Sequence, residues 1–227
     1  MFQIKICGVT DEAAAAACVA AGADALGLNF YPPSPRFVSR EIASRICGAL
    51  PESVRRVGVF VNASPEAIIQ TAAQLALDWV QLHGDEPPET IAQLHPWPVI
   101  RAFRLGKDGP GPLFQYLRDC AQAGRRPDAV LVDAWRAGEY GGTGQQVDWQ
   151  IVARLVQHLD PLPVVLAGGL TPHNVMDAIR TARPRAVDTA SGVESRPGEK
   201  DAERVRDFVF RVREAFDSLE KSAPDTS

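Results

Sequence analysis

The sequence predicts a single (β/α)8 barrel of the α/β class, and three observations lead there. Eight short apolar runs alternate with amphipathic stretches from one end of the chain to the other. Helix-capping residues fall in the gaps between the runs. No composition break divides the 227 residues, a length that one barrel routinely fills. An open doubly wound sheet is the alternative, but it usually has fewer strands and a glycine-rich fingerprint after the first one. Here the first run is followed by CGVTDE, which lacks that fingerprint.

In chain order the predicted strands are Gln3–Ile6, Ala25–Phe30, Val57–Val61, Trp79–Leu82, Val99–Phe103, Ala129–Val132, Val164–Ala167 and Ala186–Asp188. Each is short, and several are rich in Val, Ile or Leu, as strands covered on both faces should be. Thr10 is placed to cap a helix over Asp11–Ala21 that Gly22 stops, and Ser39 to cap one ending near Leu50, where Pro51 blocks continuation. Ser64-Pro65-Glu66 and Thr171-Pro172 each read as an N-cap followed by proline at the first helical position, and Asp148 caps the helix that Trp149 begins. Val205, Phe208, Val209, Val212 and Phe216 then recur at spacings of three and four, one apolar face of a last helix. The barrel is expected to span residues 1–219, with 220–227 a disordered tail.

Composition narrows the partners. Hydrophobic residues make up 45% and charged residues 23%, an ordinary soluble balance. A net charge of -4 without a basic stripe argues against nucleic acid. No apolar run approaches the roughly 18 residues of a membrane span, and the start lacks the pattern of a secretory signal. Cys7, Cys18, Cys47 and Cys120 show no CxxC spacing, so reduced thiols in a cytoplasmic protein are expected. Of the histidines only His83 lies at a predicted strand end, and no HxxE, HxH or paired-carboxylate cluster appears. Neither a catalytic metal nor a cofactor is expected.

In such a barrel chemistry sits where strands end and the following loops begin. Those positions hold Cys7, Asn29, Asn62, His83, Arg104, Asp133, Gly168 and Ser191. Strand alternation turns Ile4 and Ile6 toward the helices and Lys5 and Cys7 into the lumen. On the fourth strand Gln81 and His83 share one face, as do Val99, Arg101 and Phe103 on the fifth; polar residues reaching the lumen there are costly unless paired or functional. Cys7 reads either as a packed thiol or as one aimed out of a strand end into a site. Asp133, delivered by three apolar residues in VLVDAW, reads as a reactive carboxylate or as an acceptor for the loop RAGEYGGTG that follows. Gly141, Gly142 and Gly144 suggest that this loop moves or packs close to a ligand. His83 orients a group or satisfies a loop carbonyl. Arg36 is held between Pro35 and Phe37 in YPPSPRFVSR. A rigid mount suits a guanidinium that captures a planar carboxylate, although a lone arginine is more often simply solvated.

Two glycine segments, LAGGLTPHNV and VDTASGVES, follow the seventh and eighth strands. Either alone would also serve as a tight turn. Loops at these two places often form a phosphate site, with backbone N–H groups brought close by glycine. Phosphate is therefore expected near Gly168, Gly169, Ser191 and Gly192.

These stretches also carry a resemblance. KICGVT, GADALGLNFYPPSPRFVS, VGVFVN, VQLHGDE, LVDAW with GGTGQQVDW, LAGGLTPHNV and VDTASGVESRPGEKD stand in order from about residue 3 to the last helix. Together they resemble the phosphoribosylanthranilate isomerase family, barrel enzymes of tryptophan synthesis. Thr189-Ala190 departs from the Val-Ser that many members carry. The resemblance implies an Amadori rearrangement of N-(5-phosphoribosyl)anthranilate, with Cys7 as general base, Asp133 as general acid and Arg36 on the anthranilate carboxylate. It also implies the glycine loops as the phosphate site, with a phosphosugar-anthranilate as the small-molecule substrate and the enzyme a monomer or homodimer. His83 and Asp188 complete the expected substrate-binding set. A thiol with a reference pKa of about 8.5 is a weak base at neutral pH. A buried Lys5, paired with Asp188 on the adjoining eighth strand, is expected to bias Cys7 toward thiolate.

Other sugar-phosphate barrels fit less well. A Schiff-base aldolase would need Lys5, the only lysine on a predicted strand, as nucleophile. A metal-dependent epimerase lacks its ligands here, and the sister isomerase of histidine synthesis would carry aspartate at position 7. A barrel that only bound a phosphate ligand would need neither Cys7 nor Asp133.

Overall fold

The computed structural model describes residues 1–106, 109–134 and 148–221. Eight parallel strands close into a barrel in chain order: β1 Ile4–Cys7, β2 Ala25–Asn29, β3 Arg55–Phe60, β4 Trp79–Leu82, β5 Val99–Leu105, β6 Ala129–Ala134, β7 Val164–Leu166 and β8 Ala186–Thr189. Helices follow in turn: α1 Glu12–Ala21, α2 Arg40–Ala49, α3 Pro65–Gln74, α4 Glu89–Gln93, α5 Gly111–Gln122, α6 Trp149–Leu159, α7 Val175–Ala182 and α8 Ala202–Lys221. Between β8 and α8 lie a 3-10 turn, Ser191–Val193, and a two-stranded hairpin, β9 Glu194–Arg196 with β10 Glu199–Lys200. The predicted (β/α)8 barrel is the observed fold.

Local chemistry moves several boundaries. Asp11, not Thr10, caps α1 by accepting the Ala14 N–H at 2.7 Å, because the Thr10 hydroxyl is engaged with the Gly198 carbonyl at 2.8 Å. Gly22 ends the helix in the left-handed conformation, as expected. Ser39, Ser64 and Asp148 cap as predicted. Thr171-Pro172 does not start α7. The Asn174 side chain folds back to accept the Thr171 N–H at 2.8 Å, and the helix begins only at Val175. Glu220 and Lys221 belong to α8 rather than to a tail, since the helix continues past Leu219. The loop RAGEYGGTG, with Gly141, Gly142 and Gly144, lies outside the described residues, as do residues 222–227.

Two apolar cores separate by strand parity. Ile4, Ile6, Leu26, Leu28 and Val130 pack outward against the helices. Ala25, Val57, Ile100, Ala102, Leu131, Val165 and Ala186 fill the lumen. On β5 this parity places Ile100 and Ala102 inside, so Arg101 turns away from the lumen, contrary to its candidacy there. It lies over the Phe103 and Tyr116 rings at 5.1 and 4.8 Å and donates to the Gly84 carbonyl at 3.1 Å, bracing the loop after β4.

The strand starts carry a repeated lock. Asp24, just before β2, accepts the backbone N–H groups of Gln3 and Ile4, each at 2.9 Å. Asp78, before β4, accepts that of Arg56 at 2.8 Å, and Asp128, before β6, that of Val99 at 2.8 Å. Each of these backbones returns a bond, since Asp24, Asp78 and Asp128 donate their own N–H to Ile4, Arg56 and Val99. An arginine sits on each carboxylate: Arg213 on Asp24, Arg55 on Asp78 and Arg125 on Asp128. Asp24 thereby ties the first strand to the last helix. Asp24→Ala leaves two strand amides without their charged acceptor and should lower unfolding free energy by about 1.5–3 kcal/mol in urea titration. A loss below about 0.5 kcal/mol, the size of an ordinary surface substitution, would mean that water replaces the carboxylate at no cost.

Candidate active site

The strand ends supply the chemistry because parity delivers them there. Lys5 and Cys7 share the lumen face of β1, and neighbouring β2 puts Gly27 in register with Cys7. A Cβ on Gly27 would stand 2.8 Å from the Cys7 Sγ and 3.0 Å from the Lys5 Nζ. Only a residue without a side chain leaves room for both. On the other side, β8 pairs Lys5 with Asp188, and the fully buried Nζ donates to the Asp188 Oδ1 at 2.9 Å. The expected pair is present.

Lys5 acts on the thiol in the expected direction, but burial outweighs it. Burial disfavours the Lys5 ammonium, but Asp188 and then Cys7 outweigh that cost and raise its pKa. Burial likewise pushes the Cys7 thiol up; Lys5 pulls it down, Asp188 adds to the rise and Lys200 opposes it. The net direction is upward. Lys5 moderates the cost of making thiolate without cancelling it. The other cysteines are buried in α1, α2 and α5, where burial pushes Cys18 up to about 12 and Cys47 and Cys120 to about 11. Cys7 is the one cysteine that lines the cleft.

Across the barrel mouth Asp133 comes up on β6, 4% exposed, on the same face as Leu131. The His83 Nε2 lies 3.5 Å from its Oδ2. The Gln81 amide nitrogen faces the His83 Nδ1 at 2.9 Å, which orients the ring with its Nε2 turned toward the carboxylate. His83 thus addresses Asp133 rather than the loop carbonyl considered for it.

Arg36 is not a solvated arginine. Its side chain is 11% exposed and grips Glu194 by two parallel bonds, Nε to Oε1 at 2.8 Å and Nη2 to Oε2 at 2.7 Å. The stem lies across Gly8, which has φ +71° and where a Cβ would come within 2.5 Å of the Arg36 Cδ. Lys200 donates to the same Glu194 at 2.6 Å. Burial pushes the Glu194 carboxyl up, but the Arg36 and Lys200 hydrogen bonds outweigh it, and the pKa is lowered.

The loops after β7 and β8 are fastened to one another. The Thr189 hydroxyl donates to the Leu170 carbonyl at 2.7 Å, and a Cβ on Gly192 would fall 1.8 Å from that same oxygen. Gly192 serves close approach of the two backbones beside the cleft. Gly168 and Gly169 adopt φ of +86° and +65° and line the cleft, as does Ser191.

One cleft therefore collects Cys7, Arg36, His83, Asp133, Asp188 and the two loops, in about 630 Å³ of space including its open mouth. The sequence reading missed Glu194, Lys200 and Gly27, and gave Gln81 no role. Gln81 was visible by parity with His83; the partner of Arg36, 158 residues away, carried no local signal. Among the described residues no group of His, Cys, Asp and Glu could hold a metal ion.

Comparison with known proteins shows the family. The family model described as N-(5'-phosphoribosyl)anthranilate (PRA) isomerase matches residues 4–211. A protein of Trichlorobacter lovleyi named N-(5'-phosphoribosyl)anthranilate isomerase is 44% identical over 217 residues, 95% of this chain and all of its own length. Among solved structures, phosphoribosyl anthranilate isomerase from Thermotoga maritima superposes with a TM-score of 0.82 at 37% identity, covering 94% of this chain and all of that one. A phosphoribosyl anthranilate isomerase in complex with reduced 1-(o-carboxyphenylamino)-1-deoxyribulose 5-phosphate gives 0.77 at 37% identity, again covering 94% of this chain and all of its own. The chain belongs to the N-(5'-phosphoribosyl)anthranilate isomerase family.

Proposed function

We infer that this barrel rearranges N-(5'-phosphoribosyl)anthranilate to 1-(2-carboxyphenylamino)-1-deoxyribulose 5-phosphate in tryptophan biosynthesis, using Cys7 as base and Asp133 as acid. The observation that carries the assignment of roles is the placement of these two groups, on β1 and β6, at the mouth of one cleft. Asp133 gives a proton to the ribose ring oxygen, and the ring opens to an iminium at C1. The Cys7 thiolate then takes the proton from C2, leaving a 1,2-enolamine. Protonation at C1 and loss of the proton on the C2 hydroxyl give the ketone. One acid and one base suffice, each contributing about 10²–10⁴-fold.

The remaining residues bind. The loops bearing Gly168, Gly169, Ser191 and Gly192 take the phosphate through backbone N–H groups. Arg36 takes the anthranilate carboxylate. His83 holds Asp133 toward the ring oxygen, and Asp188 keeps Lys5 charged beneath the thiol. All these residues come from one chain, which serves a monomer or a homodimer. Among the described residues no helix is long and apolar enough to cross a membrane, and all four cysteines are free; both suit a cytoplasmic enzyme.

Cys7→Ser keeps the shape of the site but removes the accessible base. Its kcat should fall by about 10²–10⁴-fold with ligand affinity near wild type; more than half of wild-type turnover would make Cys7 a packing residue. Asp133→Asn should lose turnover by blocking ring opening instead.

The thiolate is the active form and its pKa is raised, so activity should climb with pH through a limb above the ordinary thiol range. Lys5 pulls that limb down. Lys5→Met should therefore move it further alkaline in a kcat/KM profile, and an unmoved limb would remove Lys5 from the mechanism.

Arg36→Met keeps part of the stem and removes the fork. KM should rise more than kcat falls, for a loss of about 1.5–3 kcal/mol, or ten- to more than a hundredfold in kcat/KM. An unchanged KM would mean that the carboxylate binds elsewhere.

A further inference from the structure

We propose that Glu194 is a positioning residue for the substrate carboxylate, holding one edge of the Arg36 guanidinium so that its other edge is presented to the cleft. The inference rests on the reading of Arg36 as the carboxylate binder, and it assigns the part of the fold that makes that reading work.

A guanidinium has five N–H donors in one plane and two edges on which a carboxylate can sit. Glu194 occupies the edge formed by Nε and Nη2, at 2.8 and 2.7 Å. Two parallel bonds to one carboxylate fix both the position and the plane of the group. The edge formed by Nη1 and the second Nη2 hydrogen has no partner among the described residues, and Arg36 lines the cleft. A second planar carboxylate arriving there meets a fork that is already oriented, so little side-chain entropy remains to be lost on binding.

Charge points the same way. Glu194 is one carboxylate shared by two cations, since Lys200 also donates to it at 2.6 Å from a side chain with no exposed surface. Two positive charges and one negative leave a surplus of one positive charge beside the cleft. An incoming monoanionic carboxylate completes the set. Buried ion pairs add little to stability in themselves, so an unbalanced one beside a ligand cleft is better understood through the ligand.

The mount is also built. Glu194 begins the β9–β10 hairpin, whose Gly198 carbonyl accepts the Thr10 hydroxyl at 2.8 Å. A Cβ at Gly198 would come within 2.7 Å of the Pro35 carbonyl. The hairpin is thus seated on the loops after β1 and β2, the second of which carries Arg36.

The test compares two ligands by calorimetry: the reduced product, 1-(o-carboxyphenylamino)-1-deoxyribulose 5-phosphate reduced at its ketone, and its phenylamino counterpart without the ring carboxylate. Wild type should prefer the carboxylated ligand by about tenfold or more, the strength of a charge-assisted contact. If wild type shows no preference, the role given to Arg36 fails, and this inference with it. If wild type discriminates, Glu194→Gln should cut the preference at least about fivefold while the carboxylate-free ligand binds within about twofold of wild type. An unchanged preference, or tighter carboxylate binding from the extra net positive charge, would overturn the proposal. Glu194→Asp keeps the charge but is one methylene short, so it separates geometry from charge and carries the test if the glutamine variant does not fold. Its preference should also fall, and full wild-type discrimination in the aspartate variant would refute positioning.

Discussion

The buried Lys5–Asp188 pair is the constraint around which the site is arranged. It joins the first strand to the last at the seam where the barrel closes. An ammonium inside a barrel is tolerable only with a carboxylate beside it, and the carboxylate only with the ammonium. Everything near the seam follows from that. Gly27 must lack a side chain because the pair and the thiol already fill the space on β2. Cys7 sits one step above the charge and feels both its attraction and the desolvation that comes with burial.

The two sides of the cleft use different means. On the β1–β2–β8 side ionic groups are packed: Lys5 with Asp188, then Arg36, Glu194 and Lys200. On the β4–β6 side the groups are an amide, an imidazole and a carboxylate in a row from Gln81 through His83 to Asp133. In the proposed reaction the first set would bind and orient, while the imidazole faces the proposed acid at 3.5 Å, where a proton would leave and return. This division matches a reaction with an anionic substrate and proton transfers at separate carbons and oxygens.

Much of this was legible in the sequence because β-strand alternation has a fixed period. Parity alone placed Lys5, Cys7 and Gln81 in the lumen and put Lys5 beside Asp188, since neighbouring strand ends leave few partners. Helix starts with a strong local signal, such as Ser39 and Ser64-Pro65, were equally readable. What failed had rival bonds that no local rule ranks. Thr10 and Asp11 both suit a cap, and the hairpin 188 residues away claimed the threonine. Arg101 was misplaced because the strand parity was not anchored by its neighbours Ile100 and Ala102. Arg36 was singled out for its rigid loop, but Glu194 could not be, because an ion pair across that span has no spacing rule.

The aspartate locks at the strand starts imply something about cooperativity. The same backbone exchange recurs before every even strand, and before β8 it runs from the Arg185 N–H to the Val164 carbonyl. At that fourth position the side chain is an arginine, which cannot accept. The barrel is therefore built from four two-strand wedges, three of them bolted by a carboxylate and one not. The unbolted wedge, β7–β8, has the shortest strand of the barrel and carries both glycine loops. Local opening should be cheapest there, and a phosphate spanning those loops would supply from above the anionic tie that the wedge lacks below. A ligand bound there would act as a structural member of the sheet, and occupancy of the site and rigidity of that wedge would rise together.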